Sequence, residues 1–529
     1  MITTTAKRSQ LPPRLAPLAA ALCGILITPA TRADWSVRPA LELRETYSDN
    51  VALGGSEPQA QWVTEINPAL MVEHVGRRLT VKSAARLNYF IYGDERVSGT
   101  NRFFRQFDGS AKAEVVEDFL YVDASASLAP RNISPFGPQV GANRYSSANQ
   151  ADVATYLLSP SLVHRFGSSA NMQLRYTRDR VDAGDSGFGS SDSNSYLFNL
   201  SSGTRYRTVG WNLYAMRQDV ERFRADRPNT PLGAQRTISE NAMASASYPL
   251  SRTFALTAST GYDKYDYSAL GGKTQGASWS TGFAWTPSSR TSVQARVGKR
   301  FVGSSNSLDA QHRSRRSVWR LAYSEAVNTS RSNFMLPATF DTAALLDRMF
   351  VPTYPDPLAR QQAVADYMRQ TGLPAALVDN VSFLSNRFFL QKQLTATAGI
   401  KLARTNATLS LFRTRSDALT DSETDSVVLG REMSSLNTNT RQVGGNMTLN
   451  YKISPRSDVR FSQNLYHNTS LSGGNRKSLS RAARLSLTRT MARNLTATLE
   501  LRRVSGSSML SNYAPYRENA MSASLSYQR

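Results

Sequence analysis

The chain has 529 residues, 40% of them hydrophobic, with 63 Lys or Arg against 40 Asp or Glu and a formal net charge of +23. Mean hydropathy is −0.39, and beyond the first 33 residues no run approaches the roughly 18 apolar residues of a spanning helix, which excludes a helical membrane protein. One cysteine, Cys23, excludes a disulfide framework.

At the N-terminus, Lys7, Arg8 and Arg14 precede the apolar run Leu15–Ile27 and the small residues up to Ala33. A basic region, a short greasy region and a small-residue cut predict a secretory signal peptide over residues 1–33. The run, about 13 residues, is too short to cross a bilayer as a helix. Cys23 falls inside it and follows Leu22 rather than a small residue, so lipidation is not expected and the exported chain holds no cysteine. Loss of Lys7, Arg8, Arg14 and Arg32 with the leader takes four charges from +23, leaving about +19. In a cytosolic chain that excess would suggest nucleic acid. Behind an export signal, the expected partners are lipopolysaccharide phosphates or an acidic polymer, and not nucleic acid.

After the leader, "LELRETYSDNVALGGS" (41–56) runs an alternating strand into a polar loop. In "LTVKSAARLNYFIY" (79–92), Leu79, Val81, Ala85, Leu87, Tyr89 and Ile91 share one parity, while Thr80, Lys82, Arg86 and Asn88 take the other. Such a segment has one greasy face and one wet face. The pattern recurs in "SWSTGFAW" (278–285), "VGGNMTLNYK" (443–452), "LTATLELRR" (495–503) and the last residues, where Met521, Ala523, Leu525 and Tyr527 oppose serines. Segments of about 9 to 14 residues suit tilted membrane-crossing strands, whereas strands of soluble sheets average about five or six.

The connections sort themselves. Short links fall at 76–78, 117–118, 167–169, 249–252, 287–290, 404–406, 454–457 and 492–494, and long polar loops at 48–61, 130–150, 181–193, 221–236, 303–315, 417–437 and 506–518. Alternating short turns and long loops mark an all-β, transmembrane antiparallel β-barrel over residues 34–529, with turns periplasmic and loops outside. The expected place is the bacterial outer membrane.

Parity also counts strands. About 14 candidates run to Asn328 and end on a descending one, and about seven run from Arg387 and begin on a descending one. An odd number must lie between, and "RSNFMLPATF" (331–340) is the candidate for one ascending strand. The total is about 22, within roughly 18 to 24, with both termini periplasmic. Beyond it, 341–350 and 356–372 read as helices. The second has Asp356 as cap, Pro357 at its first position and Gly372 past its end. A helical insertion near 341–378 would be a surface loop or a plug.

Catalytic chemistry is not legible. His74, His164, His312 (in the basic loop "AQHRSRR") and His467 belong to no metalloprotease helix, His–carboxylate spacing or nucleophile elbow. The chain is expected not to be an enzyme and to hold no cofactor or metal. More informative are the polar faces, where Lys82, Arg86, Lys112, Arg175, Lys452, Arg460, Arg484 and Arg502 lie opposite the apolar stripe. In a barrel that side is the lumen, because each such charge facing lipid at mid-depth would cost about 2–4 kcal/mol. Glu114, Asp123 and Glu500 share those faces. The basic residues therefore either pair across strands or make a positive wall for an anionic solute or acidic polysaccharide. Exposed basic stretches, "RADRP" and "HRSRRS", read as solvated or lipopolysaccharide-facing.

"LELRETYSDNVAL", the central "LPATFDTAALLDRMF" and "PDPLARQQAVADYMRQTGLP", and "FLSNRFFLQKQLTATAGI" together resemble the PEP-CTERM system-associated outer-membrane proteins, barrels of exopolysaccharide loci. The resemblance spans the mature chain and implies a part in exporting or anchoring exopolysaccharide. It brings no catalytic or binding residues to transfer. The ending "SLSYQR" departs from the terminal aromatic of barrel-assembly signals by two residues. Three functions follow: a conduit or export component for exopolysaccharide or another anionic solute; a non-conducting scaffold binding polysaccharide or periplasmic export proteins; or an outer-membrane lipid or glycan hydrolase.

Overall fold

The computed structural model describes residues 35–54, 58–94, 99–139, 141–147, 149–183, 189–206, 208–223, 236–266, 274–335, 340–341, 376–377, 385, 387–420, 435–472, 476–507 and 515–528. The expected leader, the expected helix over 356–372 and all but Asp341 of the one expected over 341–350 lie outside these residues, and Asp341 is in a strand.

The strands are β1 (Trp35–Ser48), β2 (Gln61–Val75), β3 (Leu79–Tyr92), β4 (Phe103–Val116), β5 (Leu120–Asn132), β6 (Gln150–Phe166), β7 (Ala170–Ala183) and β8 (Gly189–Ser202). Then come β9 (Gly210–Phe223), β10 (Thr237–Pro249), β11 (Phe254–Asp266), β12 (Gln275–Ser288), β13 (Thr291–Arg300), β14 (Gly303–Ser304), β15 (Ser307–Arg313) and β16 (Ser317–Thr329). A short helix, α1 (Ser330–Met335), and a two-residue pair, β17 (Phe340–Asp341) with β18 (Ala376–Leu377), separate these from β19 (Phe388–Lys401) and β20 (Thr405–Ala418). The last are β21 (Asn439–Ser454), β22 (Ser457–Ser470), β23 (Lys477–Ala492), β24 (Leu495–Ser507) and β25 (Pro515–Gln528).

Successive staves of the wall pair antiparallel, and β1 closes on β25 from Ala40↔Gln528 to Ser48↔Ala520. Both β14 and β15 lie on β13, as two halves of one stave. The result is a closed barrel of 22 staves. Closure satisfies every edge, which an antiparallel sheet in lipid requires.

The period of two explains the wall. On β24 and β25, Leu499, Leu501, Met521 and Leu525 point outward and are 51–57% exposed. Thr498, Glu500 and Arg502, one residue out of phase, point inward beside Ser522 and Ser524. A wide band of half-exposed leucine, valine and aromatic side chains is untenable in water but costs nothing against acyl chains. Turns are correspondingly tight on one side. The link after β6 places Gly167 at a φ of 56°, a left-handed value that glycine adopts without penalty.

Two readings are corrected. Residues 303–315 are not a long loop: they form β14 and β15, entered by a tight turn at 301–302, with Gly303 at φ 132°. The outward residues of this stave are Leu308, Ala310 and His312, opposite Ala295, Val293 and Thr291. With one large aliphatic side chain among them, the alternation is faint. Nor is 331–340 a barrel strand, because β16 pairs directly with β19 from Ser317↔Ile400 to Thr329↔Phe388, and 330–335 is α1. One stave missed and one added leave the total at 22. The excursion 330–387 therefore leaves from the loop side, and "HRSRRS" sits at the short-turn side, away from the long loops.

Candidate functional site: a loop folded into the barrel

The connection between β5 and β6, residues 133–149, does not stay outside. It is stitched into a compact unit. Asn149 accepts from the Ser134 amide (2.9 Å) and donates to the Ser134 and Pro138 carbonyls, while Gln139 donates to the Gly137 carbonyl (2.8 Å). Asn143 accepts from the Tyr145 amide (2.7 Å) and donates to the Val51 carbonyl (3.2 Å). The loop after β3 supports it, with Asn101 donating to the carbonyls of Arg144 and Ser146, both at 3.1 Å. Asn, Ser, Pro and Gly suit such side-chain-to-backbone turns.

This unit reaches the far wall. Arg484 on β23 donates to the carbonyls of Gly141 (2.5 Å) and Ala142 (2.9 Å), and Asn468 on β22 donates to that of Pro135 (2.5 Å). Ala142 packs with Leu53, Ala482, Val504 and Tyr516, and Phe136 packs on Leu436. The third contact is polar. Tyr145, fully buried, donates its phenol to Glu65 on β2, with Thr46 3.0 Å away. Phe90 meets the Tyr145 ring edge-on at 5.3 Å, and the Arg502 guanidinium lies 5.2 Å from its centroid. Burial, then the charge of Glu65, pushes the Tyr145 phenol up to about 12.

Charges surround this contact in pairs. Arg144 lies 3.7 Å from Glu65, Arg502 is 2.8 Å from Glu518, and Arg44 sits between Glu42 (2.7 Å) and Glu500 (3.9 Å). Ser48 also donates to Glu518, at 2.7 Å. A second bridge crosses from α1, where Arg331 ion-pairs with Asp179 on β7 and donates to Ser191 on β8 (2.8 Å). Beside α1 lies a cavity of about 390 Å³ lined by Ser239, Asn241, Ser259, Ser278, Arg300 and Asn328. The loop-side half of the lumen is thus divided into a flank filled by the loop 133–149 and its ion pairs and a serine-rich flank that holds an open cavity.

The eight basic residues read from the sequence all sit on the inward parity. Lys82 lies 3.6 Å from Glu73, Arg175 3.6 Å from Asp123, and Arg502 pairs with Glu518. Arg86, Lys112, Lys452 and Arg460 make no ion pair among the described residues, and Arg484 binds the loop backbone. Only Arg484 and Arg502 belong to the constriction. Lys82, Lys112, Lys452 and Arg460 lie toward the short-turn side, where the lumen wall is exposed.

Sequence reasoning missed Glu65, Arg44, Glu518 and Tyr145. Two aromatics, Phe136 and Tyr145, in a loop otherwise rich in Ser, Asn, Gly and Pro were the available signal.

The four histidines are outward. His74 stacks on Trp35 at 4.4 Å, His164 packs on Phe166, and His312 shares a hydrogen bond with Thr291 (2.9 Å). No group of three or more His, Cys, Asp or Glu is placed to hold a metal among the described residues.

Solved structures carry the same architecture. The FrpB iron transporter of Neisseria meningitidis, F5-1 variant in its apoprotein form, superposes with a TM-score of 0.52 at 10% identity, covering 94% of this chain and 82% of that one. This chain is an outer-membrane barrel. The siderophore receptor PirA of Pseudomonas aeruginosa is similar over 94% of this chain and 82% of its own, at 12% identity and a TM-score of 0.44. At these identities the likeness concerns the fold alone. No family model and no curated protein matches the chain.

Proposed function

We propose that the barrel is a conduit for an anionic solute or acidic exopolysaccharide, restricted by the loop 133–149. The observation that carries this reading is the surplus of inward cations. Five of the eight named basic residues make no ion pair among the described residues, and three of those five, Lys112, Lys452 and Arg460, line the wider part of the lumen below the constriction. A low-dielectric wall on which unpaired cations outnumber unpaired carboxylates focuses its field on the enclosed water and concentrates anions there. The resemblance to exopolysaccharide-locus barrels supports a polymer as the passenger, and the iron-transport role of FrpB supports passage of a solute through this architecture.

The test is block by substrate. A soluble polyuronate added from the turn side is expected to interrupt single-channel current in planar bilayers, while a neutral dextran of equal size is not. Equal effects of the two polymers would contradict an acidic passenger.

A second reading, a non-conducting scaffold for polysaccharide or periplasmic export proteins, is favoured by the two bridges across the loop-side mouth, from Arg484 to the loop 133–149 and from Arg331 to Asp179. Silent bilayers with a correctly folded barrel would select it.

A further inference from the structure

The outer wall is charged unevenly around its circumference. On β6 to β11, outward cations near the loop side are matched by carboxylates. Arg180 lies 3.2 Å from Asp192, Arg178 3.7 Å from the same residue, and Glu240 takes Arg217 at 2.6 Å and Lys264 at 3.7 Å. On β20 to β25 the balance disappears. Arg413, Arg441, Lys477, Arg481, Arg503 and Arg517 are all exposed, all of lipid-facing parity and all in the loop-side half of their strands. None has an ion-pair partner among the described residues, and Asp417, bound to Arg415 at 2.9 Å, is the one outward carboxylate described on these six strands.

Register groups these cations. Arg481, Ser505 and Arg517 face one another across three adjacent strands, with Arg503 two residues below Ser505. At about 4.8 Å between strands, the three guanidinium stems start within roughly 10 Å of one another. Arg415 and Arg441 are direct cross-strand partners. Like charges so placed repel unless an anion lies between them. Immediately below run the outward Leu411, Val443, Leu485, Leu501 and Met521. The cations therefore stand where acyl chains give way to headgroups in the outer leaflet, and guanidinium forks match phosphate oxygens.

We propose that the outward face of β20–β25 binds a phosphorylated glycolipid of the outer leaflet, the phosphates seated among Arg441, Arg481, Arg503 and Arg517 and the acyl chains against the leucine band beneath. This assignment is independent of what passes through the lumen.

The full-length folded barrel in detergent is titrated with bisphosphorylated lipid A, with dephosphorylated lipid A alongside, and binding is read by native mass spectrometry. The expected result is retention of the bisphosphorylated form and at least about tenfold weaker retention of the dephosphorylated one. The variant Arg441→Gln/Arg481→Gln/Arg503→Gln/Arg517→Gln loses that preference, whereas Arg178→Gln/Arg180→Gln on the balanced flank keeps it. Each variant is checked by heat-modifiable migration, and Arg481→Gln/Arg517→Gln replaces the quadruple variant if that one does not fold. Phosphate-independent retention, equal loss on both flanks, or a dimer that disappears in the patch variant would overturn the proposal, the last by making the patch an interface between copies.

Discussion

Tyr145, carried on a connection between two strands, donates its phenol to Glu65 on the barrel wall, and both side chains are fully buried. A residue expected on an external loop therefore sits inside the lumen, held by a carboxylate 80 positions away. Removing either partner leaves the other with an unmet polar group. The variant Tyr145→Phe is predicted to weaken docking of the loop by about 1–3 kcal/mol. Limited proteolysis within 133–149 should accelerate accordingly, with the barrel's heat-modifiable migration unchanged.

The same contact has a pH signature. Because the folded phenol titrates at about 12, above its ordinary value of about 10, the folded state holds that proton more tightly. The stability it contributes is complete below about pH 10 and is lost as pH rises through about 12. Absorbance at the tyrosinate band, taken as the difference between the native chain and Tyr145→Phe, should show a single group titrating near 12. A difference curve centred near 10 would place Tyr145 in water.

Selectivity should follow the unpaired cations. Replacing Arg86, Lys112, Lys452 and Arg460 by Gln removes four inward charges that have no ion pair among the described residues. The reversal potential under a KCl gradient is predicted to move toward zero, with the unitary conductance within about twofold of the native value. Removing Lys82, whose partner Glu73 is 3.6 Å away, should have a smaller effect.

The lipid-facing assignment has its own test. Leu499→Arg is predicted to cost about 2–4 kcal/mol in urea unfolding from lipid vesicles, whereas Thr498→Arg, one residue away but inward, should change stability by about 0.5 kcal/mol or less. Equal costs would mean that the two faces are not distinguished by lipid.

The wall was legible because its physics is local. A strand with lipid on one side and water on the other must alternate, so Leu495 to Leu501 and Met521 to Tyr527 announce themselves. The stave holding Leu308, Ala310 and His312 did not, since alanine and histidine weaken the contrast that marks an outward face. The strand expected at 331–340 arose from the same miss, because parity demanded a replacement. The constriction was hidden for a different reason. Its contacts join Gly141 to Arg484, 343 positions apart, and "ISPFGPQVGANRY" carries the same turn residues as loops that remain in solvent. Arg484 and Arg502 were recognisable as inward, but nothing local distinguishes a cation that latches a loop from one that faces open water.

The most direct test of the account is the single-channel conductance of the native barrel against one in which residues 136–146 are replaced by a short Gly-Ser link. The prediction is a small native conductance that rises severalfold without the loop, both proteins showing the same heat-modifiable migration. Identical conductances, or silent bilayers from both folded proteins, would contradict a conduit restricted by this loop.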